Sequence, residues 1–503
     1  MPSTLRTIFI VLIVVMSGAA SPGRVAAQSA EKRWVVLFHQ QSTLPNGAAA
    51  TIARAGGVLV ASLPEVGAMV ATGQPGFDTR VAADPSVAYV AEDVPVRMIA
   101  PRGMSALDPS AAGDGPVEPT GSDAQTGTEP FYRFQWDKKR MRASDQGSYS
   151  VERGRRDVVV AVLDTGAEAA HPDIAPNLDA VRSRSFVPVA ANPDGDANPA
   201  AWDDKNGHGT FCLSTVGAPI NGIGMSGVAP NVTLVALKVL GDNGQGSYVS
   251  IAQALIYAGV HRFDIASMSI GGYLRRADQQ QHALIHLLQR AVNFARASGV
   301  TPIAALSNES FNVSDGDFFR DYMVLPAEID GVIGVSATGY FDLKASYSNY
   351  GVGKTDVSAP GGDYAVQATT TLVGGGSVLG AYAPDNPDLP GATYVFASGT
   401  SMAAPNAAGV AALIISRYGD FSGGNGRKLH MSPQAVESLL QQTANNQACP
   451  DPATVTYFLI SPPFPANTPA PGTEPNQRCQ GNAGYNNFFG KGIVDALKAV
   501  TTK

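Results

Sequence analysis

Three short stretches bring together residue types that can do acid–base and nucleophilic chemistry. Ala161-Val162-Leu163-Asp164-Thr165-Gly166 reads as an apolar strand delivering a carboxylate at its carboxyl end, where Gly166 lets the chain turn away. Asn206-Gly207-His208-Gly209-Thr210 sets an imidazole between two glycines, opening a helical run over 211–216. Ser398-Gly399-Thr400-Ser401-Met402-Ala403-Ala404-Pro405 places a hydroxyl in the first turn of an apolar helix that continues to Ile415. The positive end of that helix favours negative charge developing nearby. Singly, each motif is ordinary, since Asp-Thr-Gly is a common strand-end turn and Gly-Thr-Ser a common helix start. In the order Asp, His, Ser, they match one of the chain orders in which a carboxylate–imidazole–hydroxyl triad occurs, and such a triad attacks carbonyl carbon. His39, His261, His282, His286 and His430 lie in no such setting and read as surface or structural residues.

These groups need a rigid frame, and the pattern after Phe131 supplies one. Runs at 158–163, 232–237, 265–270, 301–306 and 332–336 are short and continuously apolar, as strands buried on both faces are. Helical patterns at 247–261 and 282–297 fall between them. The expectation is an α/β fold with a mostly parallel sheet and helices on both faces, its chemistry at the carboxyl ends of the strands. Residues 33–98 form a separate small α+β unit, with strand-like runs at 34–38, 58–60, 68–70 and 87–90 and a helix over 48–55. Between the two units, 101–130 holds five Pro, five Gly and no aromatic residue, so an exposed, protease-accessible linker is expected across 99–130. At the start, Arg6, the apolar run 8–16 and Val25-Ala26-Ala27 before Gln28 make 1–27 a signal peptide, and export to the periplasm or beyond follows.

Composition excludes several classes. The chain has 503 residues, 44% apolar and 15% charged, with a net charge of −7. It has the apolar content for a real core, and its acidity argues against nucleic-acid or anionic-membrane partners. No later stretch is apolar enough for a membrane helix. Three cysteines are too few for a disulfide-built miniprotein.

With Leu163-Asp164-Thr165-Gly166, His208-Gly209-Thr210 and Gly399-Thr400-Ser401-Met402-Ala403-Ala404-Pro405 all present and in order, residues 131–503 resemble the subtilisin-like serine proteases, the subtilase (peptidase S8) family. The resemblance implies a serine endopeptidase acting on extended polypeptides. Ser401 would be the nucleophile, His208 the general base and then acid, and Asp164 the group that orients and stabilises the imidazole. Asn308, closing the apolar run 303–307, matches the side-chain amide that stabilises the oxyanion, although the usual preceding glycine is Ser307 here. Ser269-Ile270-Gly271 and Gly244-Gln245-Gly246 match the two segments that hold substrate as an added strand. Two further departures are Ser267, where relatives commonly carry Asn, and Asn406, where His is usual. For Asn406 we expect packing consequences only. Residues 315–321 hold three Asp and read as a solvated loop rather than the wall of a primary pocket.

The same resemblance implies a structural calcium site, with the Asp173 and Asn221 side chains and the carbonyls of Pro219, Ile223 and Met225 as ligands. It implies no catalytic metal. Cys212 resembles a buried free thiol, and Cys449 with Cys479 is expected to form a disulfide in an exported chain. Residues 33–98 resemble the family's inhibitor-type propeptide, which implies a monomeric zymogen inhibited by its own propeptide and matured by self-cleavage. Lys138-Lys139-Arg140 is read as a solvated face. Rival classes fit less well: Asp-Thr-Gly occurs once rather than twice, and Gly399-Thr400-Ser401-Met402-Ala403 lacks the second glycine of a nucleophile elbow. A catalytically silent binding protein, or a peptide ligase or macrocyclase on the same scaffold, is the alternative reading.

Overall fold

The small unit begins where alternation along one strand serves two cores. The computed structural model describes residues 32–107, 129–188, 198–314, 321–365, 373–421, 429–456 and 476–502. The expected signal segment and linker residues 108–128 lie outside these. The first elements are β1 (Lys32–Phe38), α1 (Ala48–Arg54), β2 (Gly57–Leu63), β3 (Ala68–Gly73), α2 (Phe77–Ala82) and β4 (Val87–Glu92). The strands form an antiparallel sheet in the order β2-β3-β1-β4. Trp34, Val36 and Phe38 of β1 pack on Ile52, Phe77 and Val81 of the two helices. Val35 and Leu37 point the other way and join a core shared with the large domain. The α2 helix was not expected; it is only six residues long.

β5 (Pro95–Met98) and β6 (Arg102–Ala106) follow, then α3 (Trp136–Arg140), β7 (Val159–Asp164) and β8 (Arg184–Ser185). Next come α4 (His208–Gly217), β9 (Thr233–Lys238), β10 (Gln245–Ser247), α5 (Tyr248–Val260), β11 (Ile265–Met268) and β12 (Ile270–Arg275). The chain continues through α6 (Gln279–Ala297), β13 (Thr301–Ala305), β14 (Tyr322–Leu325), β15 (Ile333–Thr338) and β16 (Val357–Pro360). It closes with β17 (Val378–Ala381), β18 (Tyr394–Ser398), α7 (Thr400–Tyr418), α8 (Pro433–Thr443) and α9 (Ala496–Thr501). Among the described residues, seven strands form one parallel sheet in the order β16-β15-β13-β11-β7-β9-β8. This is the three-layer α/β arrangement expected. Along β7, Val160 and Val162 face a core built with α4 and α7. Val159, Ala161 and Leu163 face a second core built with α5 and α6. That two-sided burial is why the run shows no polar alternation.

The small unit sits on α5 and α6. Tyr89 stacks on His286 with ring centres 4.5 Å apart. Arg290 Nη1 donates to the carbonyls of Phe38 (3.0 Å) and Val66 (3.1 Å). Asp93 accepts from the Val249 N–H at the start of α5 at 3.3 Å.

Two expectations are corrected. Residues 99–107 are not an unstructured linker: β6 pairs with β18 and Ile99 and Leu107 are buried, while Ala100, Gly103, Ser105 and Ala106 stay exposed, because main-chain pairing and two apolar anchors order a segment whose composition alone would not. Lys138 is not on a solvated face. It is fully buried, its Nζ donating to Asp137 Oδ2 at 2.6 Å and to Asn406 Oδ1 at 2.8 Å, while Asn406 Nδ2 donates to the Pro360 carbonyl. Burial pulls the Lys138 ammonium down and the adjacent Asp137 carboxylate pulls it back up, leaving it below its ordinary value. Asn406, on the helix that carries Ser401, thus anchors a buried ion pair as well as filling space. Removing one member of such a pair strands the other charge, so Asp137→Ala is expected to cost about 3–5 kcal/mol in denaturant unfolding. A loss below about 1 kcal/mol would mean that Lys138 reaches water or another partner.

Candidate active site

The chemistry-bearing side chains converge where β7 ends and α4 and α7 begin. Asp164, the last residue of β7, is fully buried. Its Oδ1 lies 2.7 Å from His208 Nδ1 and accepts from the Thr165 N–H at 2.8 Å. His208 opens α4 after Gly207, whose φ of 91° is left-handed and whose missing Cβ would stand 2.6 Å from the Tyr382 ring. Burial pulls the imidazole pKa down, but the Asp164 charge and hydrogen bond outweigh it and hold it above the usual histidine value.

Ser401 lies in the first turn of α7, one residue beyond Thr400; an added Cβ on the preceding Gly399 would crowd Asn308 Nδ2 at 3.1 Å. Inside α7, Pro405 has no N–H to offer the Ser401 carbonyl one turn back. Ser269 Oγ donates to that carbonyl instead, at 2.8 Å, and the Cys212 thiol lies 3.5 Å from it. Asn308 is oriented from the same helix, because its Oδ1 accepts from both the Thr400 N–H (2.9 Å) and the Thr400 hydroxyl (2.8 Å). Its Nδ2 therefore points into the cleft. Ser307 takes φ 81°, the left-handed conformation a glycine would adopt freely, as does Ser310 at φ 67°.

The cleft holds the chain's own residues. β5 lies antiparallel between β10 and β12, with Gln245 opposite Arg97, Gly246 opposite Val96, Ile270 opposite Met98 and Gly271 opposite Arg97. The Met98 N–H donates to the Gly244 carbonyl at 2.9 Å, and the Ile99 N–H to the Ser269 carbonyl at 3.4 Å. Ser401 Oγ donates to the Ile99 carbonyl at 2.9 Å, and Asn308 Nδ2 to the Ala100 carbonyl at 3.2 Å. Beyond this point β6 runs antiparallel to β18, Ser398 opposite Arg102, and Arg102 Nη2 donates to the Asn308 carbonyl at 2.8 Å. With Ser401 engaged by Ile99, His208 Nε2 has no hydrogen-bond partner among the described residues. All the residues expected to bind substrate therefore flank one strand of this chain. Thr400 and Arg102 were not foreseen, since their contacts link segments far apart in sequence.

Asp164, His208 and Cys212 also place potential ligand atoms within 4.8 Å of one another. Burial pushes the Cys212 thiol well above its usual value, and Asp164 Oδ1 is already engaged, so the trio reads as packing around the triad. At the calcium site implied by sequence, Asp173 Oδ1 is buried without a partner, while Oδ2 accepts from the Met225 N–H and the Tyr394 hydroxyl. Glu129 Oε1 accepts from the N–H groups of Asn221 and Gly222 on the same loop. Asn221 Oδ1 accepts from the Ile223 N–H at 3.0 Å. Two carboxylates beside a loop rich in carbonyls, one oxygen orphaned, fit a hard cation. Glu129 was missed because it falls inside the apparent linker. Cys449 and Cys479 are joined by a disulfide.

A parallel α/β sheet carrying a buried carboxylate–imidazole pair beside a helix-borne serine defines a serine hydrolase of the subtilisin type. The sequence model of the subtilase family matches residues 155–492. Subtilisin NAT from Bacillus subtilis subsp. natto is 30% identical over 413 residues, 81% of this chain and 86% of that one. Subtilisin Savinase from Lederbergia lenta is 37% identical over 257 residues, 51% of this chain and 76% of that one. Among solved structures, the epidermin leader peptide processing serine protease of Staphylococcus aureus has a similar fold, with a TM-score of 0.68 at 19% identity over 94% of this chain and 98% of that one. The chain belongs to the subtilase family and is a serine-type endopeptidase.

The pH dependence follows from the His208–Asp164 pair. The base works only when neutral, so kcat/KM is lost as pH falls through the raised His208 pKa. The acid limb is expected above about pH 6.5, the free-imidazole value. Asp164→Asn, which removes the charge that raises it, is expected to move the limb down and to cut kcat by about 10⁴. An unmoved limb in that variant would assign the titration to another group.

Proposed function

We propose that the protein is exported as a zymogen that cuts its own Ile99–Ala100 bond and then hydrolyses extended polypeptides. The observation that carries this reading is the path of residues 95–106 through the cleft, with the Ile99 carbonyl against Ser401 Oγ. In the proposed reaction Ser401 Oγ attacks the Ile99 carbonyl carbon while His208 Nε2 takes the hydroxyl proton. The oxyanion is met by Asn308 Nδ2, which shifts to it from the neighbouring Ala100 carbonyl, and by the positive end of α7. His208 then returns the proton to the Ala100 nitrogen as the C–N bond breaks. Water, activated by the same imidazole, releases the Ile99 carboxylate from the acyl-enzyme.

After the cut, residues up to Ile99 remain a product-like strand between β10 and β12, and the small unit is held on α5 and α6. That supports its action as an inhibitor of the enzyme that made it. Other substrates would occupy the same edges, and main-chain pairing favours unfolded, extended chains over folded ones. Within this reading Asp173, Asn221, Glu129 and the carbonyls of Pro219, Ile223 and Met225 would hold a structural calcium ion, which ties the loop after α4 to the start of the large domain. When bound, the ion would neutralise the buried carboxylates.

Two measurements test this. Mass spectrometry of secreted wild type should give a large fragment beginning at Ala100, whereas Ser401→Ala should retain the small unit covalently. A processed Ser401→Ala protein would assign the cut to another protease. For calcium, thermal unfolding with and without a chelator should differ, by up to about 2.7 kcal/mol when the ion is at about 100 times its Kd. Asp173→Asn should erase the difference, and equal melting of wild type under both conditions would rule the site out.

A further inference from the structure

The residue seated at the attack position leaves an imprint on the wall beside it. Ile99 is only 4% exposed, and its Cγ1 and Cδ1 lie 3.2 Å from the point where a Cβ on Gly271 would stand. Ser307 Oγ lies 3.6 Å from the same point. Ile99 and the Ser307 hydroxyl thus both border the space that Gly271 leaves open by lacking a Cβ. That hydroxyl is held. Ser307 Oγ donates to Glu309 Oε1 at 3.0 Å. The other carboxylate oxygen of Glu309 accepts from the Tyr273 hydroxyl at 2.5 Å and from Asn349 Nδ2 at 2.9 Å.

Asn349 also fixes the turn itself. Its Oδ1 accepts from the N–H groups of Glu309 (3.1 Å) and Phe311 (2.9 Å), and its own N–H donates to the Ser307 carbonyl at 3.0 Å. These bonds keep Ser307 at a left-handed φ, a conformation of the kind that persists only where its surroundings over-determine it. Burial and the Glu309 charge push the Tyr273 phenol well above its ordinary value, so it stays protonated and donating. Glu309 is thus held by three neutral donors, the Ser307 and Tyr273 hydroxyls and the Asn349 amide.

We propose that Ser307, positioned by the Tyr273–Glu309–Asn349 cluster, sets the primary specificity of this endopeptidase: the slot takes branched aliphatic side chains of the size of Ile99 and discriminates against aromatic and cationic ones. The inference rests on the reading that the Ile99 carbonyl is the one attacked. A site built around apolar contact discriminates by roughly 10–200-fold for a group that overfills or underfills it.

The test uses the mature wild-type enzyme and peptides differing only in the residue before the cleaved bond: isoleucine, phenylalanine or lysine. Wild type should prefer isoleucine by at least about tenfold in kcat/KM. Ser307→Gly should raise the phenylalanine-to-isoleucine ratio by about tenfold or more, whatever it does to kcat for all three peptides. Tyr273→Phe, which removes one of the three donors that hold Glu309, should raise the lysine-to-isoleucine ratio. An effect on kcat common to all peptides, with both ratios unchanged, overturns the proposal and assigns the cluster to the Asn308 loop alone. A wild-type preference for phenylalanine or lysine overturns it as well. The processing reading fails separately, because a leader cut somewhere other than after Ile99 appears in the mass of the secreted protein and leaves the peptide ratios untouched.

Discussion

The molecule depends on a parallel ladder that has no wet side. β7 lies between β9 and β11, and its residues alternate between two cores, Val160 and Val162 against α4 and α7, Val159, Ala161 and Leu163 against α5 and α6. Burial on both faces gives the strand no freedom to slide, since a shift of one residue would exchange the two sets of side chains between the cores. That rigidity delivers Asp164 to a fixed point at the strand end. It also explains why the charge can be buried there, with His208 Nδ1 and the Thr165 N–H already in place to receive it.

A second layer of constraint is polar and concentrates on the helix that bears Ser401. Pro405 leaves the Ser401 carbonyl open and Ser269 fills it, while Thr400 claims the oxygen of Asn308 and so aims its amide. Further along the same helix, Asn406 ties into the buried Asp137–Lys138 pair near the start of the large domain. The helix is thus fixed at several points by groups from distant parts of the chain. Preorganisation of this kind lets the donors meet developing charge without rearranging. Against it stand Ser307 and Ser310 in left-handed conformations beside Asn308, a local cost balanced by the hydrogen bonds of Asn349.

The backbone edges of β10 and β12 and the end of β18 would serve inhibition and catalysis alike. A strand that pairs with them from within the same chain competes at the effective concentration of an intramolecular partner, which no free peptide matches. Arg102, reaching the Asn308 carbonyl, and Leu107, buried beyond it, extend that occupation past the Ile99–Ala100 bond. In the zymogen proposed above, latency would need no separate device.

How much of this could be read from the chain alone differs by layer. Five of the seven sheet strands, the helices α4 to α7 and the three motif residues were legible, because unbroken apolar runs, helical periodicity and glycine-flanked motifs are local patterns imposed by burial and by tight turns; β8, β16, α8 and α9 were not. The two edges that pair with β5 were picked out through resemblance. Lys138 was misread, because a charged triplet carries no local sign that Asp137 and Asn406 will enclose its first member. The order of residues 99–107 and the part played by Glu129 were hidden by a Pro- and Gly-rich composition, which predicts solvation correctly only for segments without a partner. What the sequence by itself determined was the set of strands, turns and reactive groups, since each depends on neighbours a few residues away. Which carbonyl lies against Ser401, which donor aims Asn308 and which buried charge is paired were decided only by tertiary structure. Those contacts join residues as much as 302 positions apart, and their energies exist only once the chain has closed around them.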